Sequence, residues 1–159
     1  MTRPGATCDV PVSSIDFFPT LLEIAGVQAK NKIDGRSLVP LLRQAGSLQR
    51  DALYWHYPHY WSGNRLPPFG MVRAGDWKLI EFYEDMRVEL YNLRDDLGET
   101  RDLAQAKPAK AAALCERLHN WRKSVAAQMP TPNPDYRPGK AKKNPQRNDQ
   151  ALWLRAAED

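Results

Sequence analysis

Behind a proline at 108, apolar residues recur at Ala111, Leu114, Leu118, Trp121 and Val125, at spacings of three and four. That pattern is one stripe of an amphipathic helix, and Pro108 suits its first position, where a missing N–H costs no hydrogen bond. Lys110, Glu116, Arg117, Asn120 and Lys123 fall on the other side. A helix with one apolar stripe demands a flat apolar partner, and the segment before it is rich in strand formers.

That segment opens with "ALYWHY", 52–57, an aromatic strand ended by Pro58. "MVRAGDWKLIEFY" predicts two strands, 71–73 and 77–83, around the turn Ala74-Gly75-Asp76. Glu84-Asp85-Met86 is a further turn, and "RVELYNL", 87–93, a further strand. The expected fold class is α+β: a small antiparallel sheet of three to four strands, packed by a C-terminal helix. In the middle strand Trp77, Leu79, Glu81 and Tyr83 alternate with Lys78, Ile80 and Phe82, so neither face is wholly apolar.

Residues 1–50 read differently. "DFFPTLLEIAG", 16–26, is a short helix with Asp16 as its cap, Pro19 in its first turn and Gly26 as its stop. Phe17, Leu21 and Ile24 share one face. "SLVPLLRQ", 37–44, repeats the device with Ser37 as cap and Leu38, Leu41 and Leu42 facing inward. Both helices are short and apolar, and the first 50 residues supply no core for them. The division expected is therefore 1–50, the end of something larger, 51–128, a compact unit, and 129–159, a proline-rich basic tail.

The net charge of +4 belongs to that tail. Residues 137–147, "RPGKAKKNPQR", hold five basic groups and no acid; taking those five from +4 leaves −1 for the rest. The body is near neutral, and no nucleic-acid-binding motif accompanies the tail, so no nucleic-acid partner is expected. No apolar run is long enough for a membrane span, and "MTRPGATCDVPVSS" has no signal-peptide core. If the protein is exported, its signal is expected outside this chain.

Residues 54–61, "YWHYPHYW", carry the densest chemistry. His56 and His59 form HxxH, but an odd offset sends strand side chains to opposite faces, and Pro58 forbids a helix that would align them. A third metal ligand would have to come from His119, Cys8, Cys115 or a distant carboxylate, so no metal is expected there. Imidazole suits acid–base work, yet no nucleophile motif, P-loop or dinucleotide fingerprint accompanies it. Two readings stay open: an aromatic platform for a sugar ring, with histidine and Arg65 reaching polar or anionic groups, or aromatics that only pack under the sheet. The acids of "RVELYNLRDDLGE" lack the calcium-loop spacing and read as turn and cap residues. Cys8 and Cys115 are far apart, and a disulfide between them does not follow from the sequence; Cys115 reads as a small residue at the edge of the core.

Six stretches in order, "VSSIDFFPTLLEIAGV", "DGRSLVPLL", "LYWHYPHY", "MVRAGDWKLIEFYED", "VELYNLRDDLGETRDLA" and "MPTPNPDY", together resemble the C-terminal third of a sulfatase of the arylsulfatase class. The resemblance covers about residues 3–137. It implies an alkaline-phosphatase-like fold, with 1–50 closing a truncated large α/β domain and 51–128 forming the small C-terminal subdomain. It also implies hydrolysis of aryl or carbohydrate sulfates by a formylglycine, made from Cys or Ser in C/S-x-P-x-R, beside a calcium ion. That machinery is not in this chain: Cys8 sits in "CDVPV" and Cys115 in "CERLH", neither with the required proline and arginine. No catalytic residue and no metal ligand carries over, and the chain is expected to be inactive alone. His56, His59 and Arg65 are the substrate-rim candidates, because the matching segment lies near the pocket mouth in related enzymes. The expected partners are a sulfated small molecule or glycan and a separate N-terminal sulfatase chain. An alternative role is a non-catalytic module that binds sulfated glycans or complements such a chain. The family's usual location is periplasmic or extracellular, and the start reads as lying within a longer frame.

Overall fold

The structure is a computed structural model that describes residues 2–60, 66–131 and 134. A 3-10 turn, Ser14–Asp16, leads into α1, Phe17–Ile24, and α2 is the single turn Val39–Leu42. Four strands follow: β1 Leu53–Tyr57, β2 Phe69–Ala74, β3 Trp77–Phe82 and β4 Val88–Asn92. Helix α3, Pro108–Ser124, is the last helix or strand among the described residues. The strands form one antiparallel meander in the order β1-β2-β3-β4.

The core lies where α3 crosses the sheet. Val72, Leu79 and Leu90 stand side by side in neighbouring strands, since Val72 pairs with Leu79 and Leu79 with Leu90. Against them lie Ala111, Leu114 and Leu118 of α3, and all six are buried. At one end Tyr54 stacks on Trp121, with ring centroids 4.9 Å apart. The Tyr54 hydroxyl accepts a hydrogen bond from Arg117 Nε at 2.9 Å, so even the polar tip is satisfied.

The β2–β3 connection is tight because Gly75 adopts φ +58°, a conformation that costs glycine little. β2 begins at Phe69, earlier than the expected 71, because the Tyr83 N–H bonds the Pro68 carbonyl at 2.9 Å and prolongs the β2–β3 ladder. After β4 the acids of the connector are spent on backbone. Asp96 accepts the N–H groups of Thr100 and Arg101, and Asp102 accepts those of Leu90 and Ala104. The turn reading of this stretch holds.

Helix α1 ends at Gly26 as expected: Gly26 has φ +68°, and the Val27 N–H reaches back to the Leu22 carbonyl at 2.9 Å. Three details differ from expectation. Asp16 precedes α1 but its carboxylate bonds no α1 amide; it accepts the N–H groups of Ser13 and Arg36, both at 2.9 Å, and pairs with Arg50. In α2 the buried residue is Val39, while Leu42 is exposed, because one turn offers only a narrow inward face. Val125 falls one residue beyond α3 and is exposed, since Ala126 at φ +50° has already turned the chain away.

Helices α1 and α2 approach each other and neither packs on the sheet. Phe17, Leu21 and Ile24 of α1 are 60, 64 and 65% exposed, with Phe18, Val12 and Ile15 beside them. That is a contiguous apolar surface which nothing among the described residues covers.

Candidate functional site

One wall of the sheet–helix layer is polar. Leu79 and Glu81 are two residues apart in β3 and so share a face; both point at α3. Glu81 is thus carried into the core, 1% exposed, opposite three residues of α3 at spacings of four and three: Cys115, His119 and Arg122. His119 Nε2 lies 2.6 Å from Glu81 Oε1, Cys115 Sγ donates to the same oxygen at 3.2 Å, and Arg122 Nη2 is 2.6 Å from Oε2. Cys115 Sγ and His119 Nε2 are themselves 3.3 Å apart.

Burial alone would raise the Glu81 pKa, but the His119 and Cys115 hydrogen bonds and the Arg122 charge outweigh it and hold the carboxyl below its ordinary value. Burial, then the hydrogen bond to the Glu81 carboxylate, pushes the Cys115 thiol up to about 11, so it stays protonated and donates. A nucleophilic cysteine needs the opposite environment, and both cysteines are free thiols.

Arg122 links this cluster to the "YWHYPHYW" segment. Its guanidinium lies 5.2 Å from the Tyr83 ring centroid. The Tyr83 hydroxyl is 2.6 Å from His56 Nδ1, and His56 Nε2 is 2.8 Å from the Gln128 carbonyl oxygen. A carbonyl only accepts, so Nε2 carries the proton and Nδ1 accepts from Tyr83. Burial raises the Tyr83 pKa above its ordinary value, which keeps that donor protonated. His56 therefore fastens three pieces of chain: β1, the end of β3, and the backbone after α3.

Of the sequence-expected rim residues, His56 and His59 have different neighbours. His56 faces α3, with both ring nitrogens engaged inside the chain. His59 packs edge-on against Tyr57, 5.7 Å between centroids, and Tyr57 in turn lies 5.7 Å from Phe69. Arg65 lies outside the described residues. Tyr57 and Phe69 form a small aromatic wall, and the Tyr60 hydroxyl donates to Glu84 at 2.8 Å beside it.

Gly70 makes the Tyr83–His56 contact possible. A Cβ built at Gly70 would overlap the Tyr83 hydroxyl. Gly70→Ala should therefore cost about 1–3 kcal/mol, the usual range for overpacking. It should also release His56, visible as a shift of the His56 ring protons in NMR; an unshifted His56 spectrum would show that the contact is not held this way.

Sequence reading found His119 only as a remote partner for HxxH and Cys115 as that or as a small residue at the edge of the core, and it missed Glu81, Tyr83 and Arg122 as a group. The signal was present: a carboxylate on the Leu79 face, opposite a helix edge bearing Cys115, His119 and Arg122 beside Leu114 and Leu118. Among the described residues Glu81, Cys115 and His119 are the one group of three or more His, Cys, Asp or Glu side chains placed to share a cation. Calcium, implied by the resemblance, takes six to eight hard oxygen ligands. One carboxylate with a thiol and an imidazole does not fit it.

Comparison with known proteins places the whole arrangement. The family model for the C-terminal part of N-sulphoglucosamine sulphohydrolase matches residues 1–127. The chain belongs to the sulfatases, as their C-terminal domain. It is 38% identical over 125 residues to a sulfatase of Formosa agariphila, covering 69% of this chain and 23% of that one. An N-acetylglucosamine-6-O-sulfatase of Bacteroides thetaiotaomicron is 33% identical over 105 residues, covering 64% and 19%. The solved structure of BT4656 with its substrate D-glucosamine-2-N,6-O-disulfate superposes with a TM-score of 0.61 at 30% identity, over 72% of this chain and 24% of that one. The chain thus spans about a quarter or less of the length of these relatives. The expected sheet, C-terminal helix and short leading helices are all present in this fold.

Proposed function

We propose that this chain serves as the C-terminal part of a sulfuric ester hydrolase acting on a carbohydrate or aryl sulfate, and that it does not hydrolyse sulfate esters by itself. In this reading 1–50 closes a large α/β domain and 51–128 is the C-terminal subdomain. The observation that carries it is the exposed apolar face of α1: Phe17, Leu21 and Ile24 present an interior surface to solvent. The relatives, more than three-quarters of whose length lies outside the matched region, have ample chain to cover such a face. A carbohydrate sulfate is favoured because an amino-sugar sulfate is named in the Bacteroides relative and in the superposed complex.

The chemistry asked of the complete enzyme is attack on sulfur, with metal and cationic groups holding the sulfuryl oxygens as charge develops. Formylglycine and calcium would be supplied by the catalytic portion. This chain would contribute the rim, with His59 and Arg65 toward sugar or anionic substituents and His56 holding the wall behind them. A periplasmic or extracellular location is part of the proposal.

Purified chain should show no turnover of 4-nitrophenyl sulfate above buffer. Mixed or co-expressed with a sulfatase chain that carries C/S-x-P-x-R and ends before this region, it should restore activity. Turnover by the chain alone, or failure to associate with that partner, would overturn the reading.

A further inference from the structure

We propose that Glu81, Cys115 and His119 form a binding site for a zinc-class divalent cation, set between β3 and α3. Three different donor atoms converge there. Glu81 Oε1, His119 Nε2 and Cys115 Sγ are mutually 2.6, 3.2 and 3.3 Å apart. Two come from one face of α3, one turn apart, and the third from the strand beneath it.

The same three residue types could make a nucleophilic relay, but the geometry is wrong for one. A relay uses both ring nitrogens, one toward the nucleophile and the other toward the acid. Here sulfur and carboxylate both meet Nε2, so the donor atoms surround a point and are not strung along a line. A shared point is what a metal requires.

The donor set selects the cation. Thiolate, imidazole and one carboxylate oxygen match a borderline-soft ion that takes four ligands in a tetrahedron. With bonds of about 2.0 Å to nitrogen and oxygen and about 2.3 Å to sulfur, neighbouring ligand atoms in a tetrahedron stand about 3.3–3.6 Å apart. The present separations are those of a proton-bridged cluster, contracted by less than an ångström from that frame.

The surroundings hold the ligands ready. Arg122 pairs with Glu81 Oε2 and leaves Oε1 turned toward Cys115 and His119. Leu114 and Leu118, both buried and each one residue before a ligand position, fix that stretch of the helix against the sheet. The His119 side chain is 39% exposed, which gives the ion a path from solvent and a water its fourth place. On binding, the Cys115 proton leaves to solvent and the His119 proton moves from Nε2 to Nδ1. The carboxylate and thiolate then balance the two charges of the ion, while Arg122 keeps its partner as an outer neighbour.

The test is cobalt(II) and zinc titration of the full chain, the first followed by its sulfur-to-metal absorption, the second by competition with a chromogenic chelator. One equivalent should bind. Cys8→Ser should leave binding unchanged. Cys115→Ser should abolish the sulfur band and weaken zinc binding more than tenfold, and His119→Gln should weaken it similarly, with far-UV circular dichroism showing each variant folded. No stoichiometric uptake by the folded chain, or uptake that survives Cys115→Ser, overturns the site. The readout is metal uptake, so the result is independent of sulfatase activity.

Discussion

Replacing Glu81 with alanine should destabilise the sheet–helix unit by about 3–5 kcal/mol, the cost of leaving a buried charge without its partner. Arg122 is 8% exposed and is held beside Glu81 by the same packing that buries Leu118. Without the carboxylate its guanidinium keeps the Tyr83 ring but loses its counter-charge, and Cys115 and His119 lose a shared acceptor. The loss should be read in urea unfolding, as a lower midpoint at an unchanged slope. Pairing Glu81→Leu with Arg122→Met should recover most of it, because an apolar pair of similar volume pays no desolvation. A single-variant loss below about 1 kcal/mol, the range of exposed ion pairs, would mean that this cluster does not bear on stability.

The contrast with the surrounding fold explains what the sequence could disclose. Helix α3 was legible because its stripe repeats Ala111, Leu114, Leu118 and Trp121 without interruption, a local pattern with one period. The β2–β3 hairpin was legible because Gly75 sits where only a permissive backbone turns. Glu81 was not, because a glutamate in a strand is ordinarily a solvated residue, and its meaning depends on helix residues 34, 38 and 41 positions away. The partners of His56 were not legible for a related reason: which partner a histidine finds is not a property of HxxH. His56 was taken up by Tyr83 and Gln128, one of them 72 residues distant in the chain.

In the first 50 residues, sequence reading saw correctly that α1 carries a face it cannot bury, and it assigned Asp16 a local role that the structure enlarges. Asp16 is fully buried, and its partners Arg36 and Arg50 lie 20 and 34 positions away. Its neighbourhood is closed in other ways too. Thr20 Oγ1 donates to the Asp16 carbonyl at 2.5 Å and accepts the Leu38 N–H at 2.8 Å, and a Cβ at Gly35 would overlap the Ile15 carbonyl. One carboxylate thus ties the 3-10 turn, the loop before α2 and the entrance to β1.

Asp16→Asn should therefore disorder residues 12–50 while leaving the sheet and α3 folded, because α1 and α2 do not pack on the sheet. An amide cannot satisfy Arg50, so a charge 10% exposed is left unpaired, at a local cost of about 3–5 kcal/mol. Hydrogen exchange should show lost protection in 12–50 and unchanged protection at Val72, Leu79 and Leu90. The wild type should show the same local failure in acid. Burial pushes the Asp16 carboxyl up, but the Arg50 hydrogen bond and the N–H groups of Arg36 and Ser13 win and bring it from 3.8 to about 2. A carboxyl depressed in the folded state stabilises it above its unfolded value, and that contribution fades as pH falls from about 4 through about 2. A shift of this size corresponds to about 2–3 kcal/mol. Protection of residues 12–50 should fall across that window in the wild type and show no such Asp16-linked step in Asp16→Asn. An equal acid dependence in both proteins would show that another group governs the order of this layer.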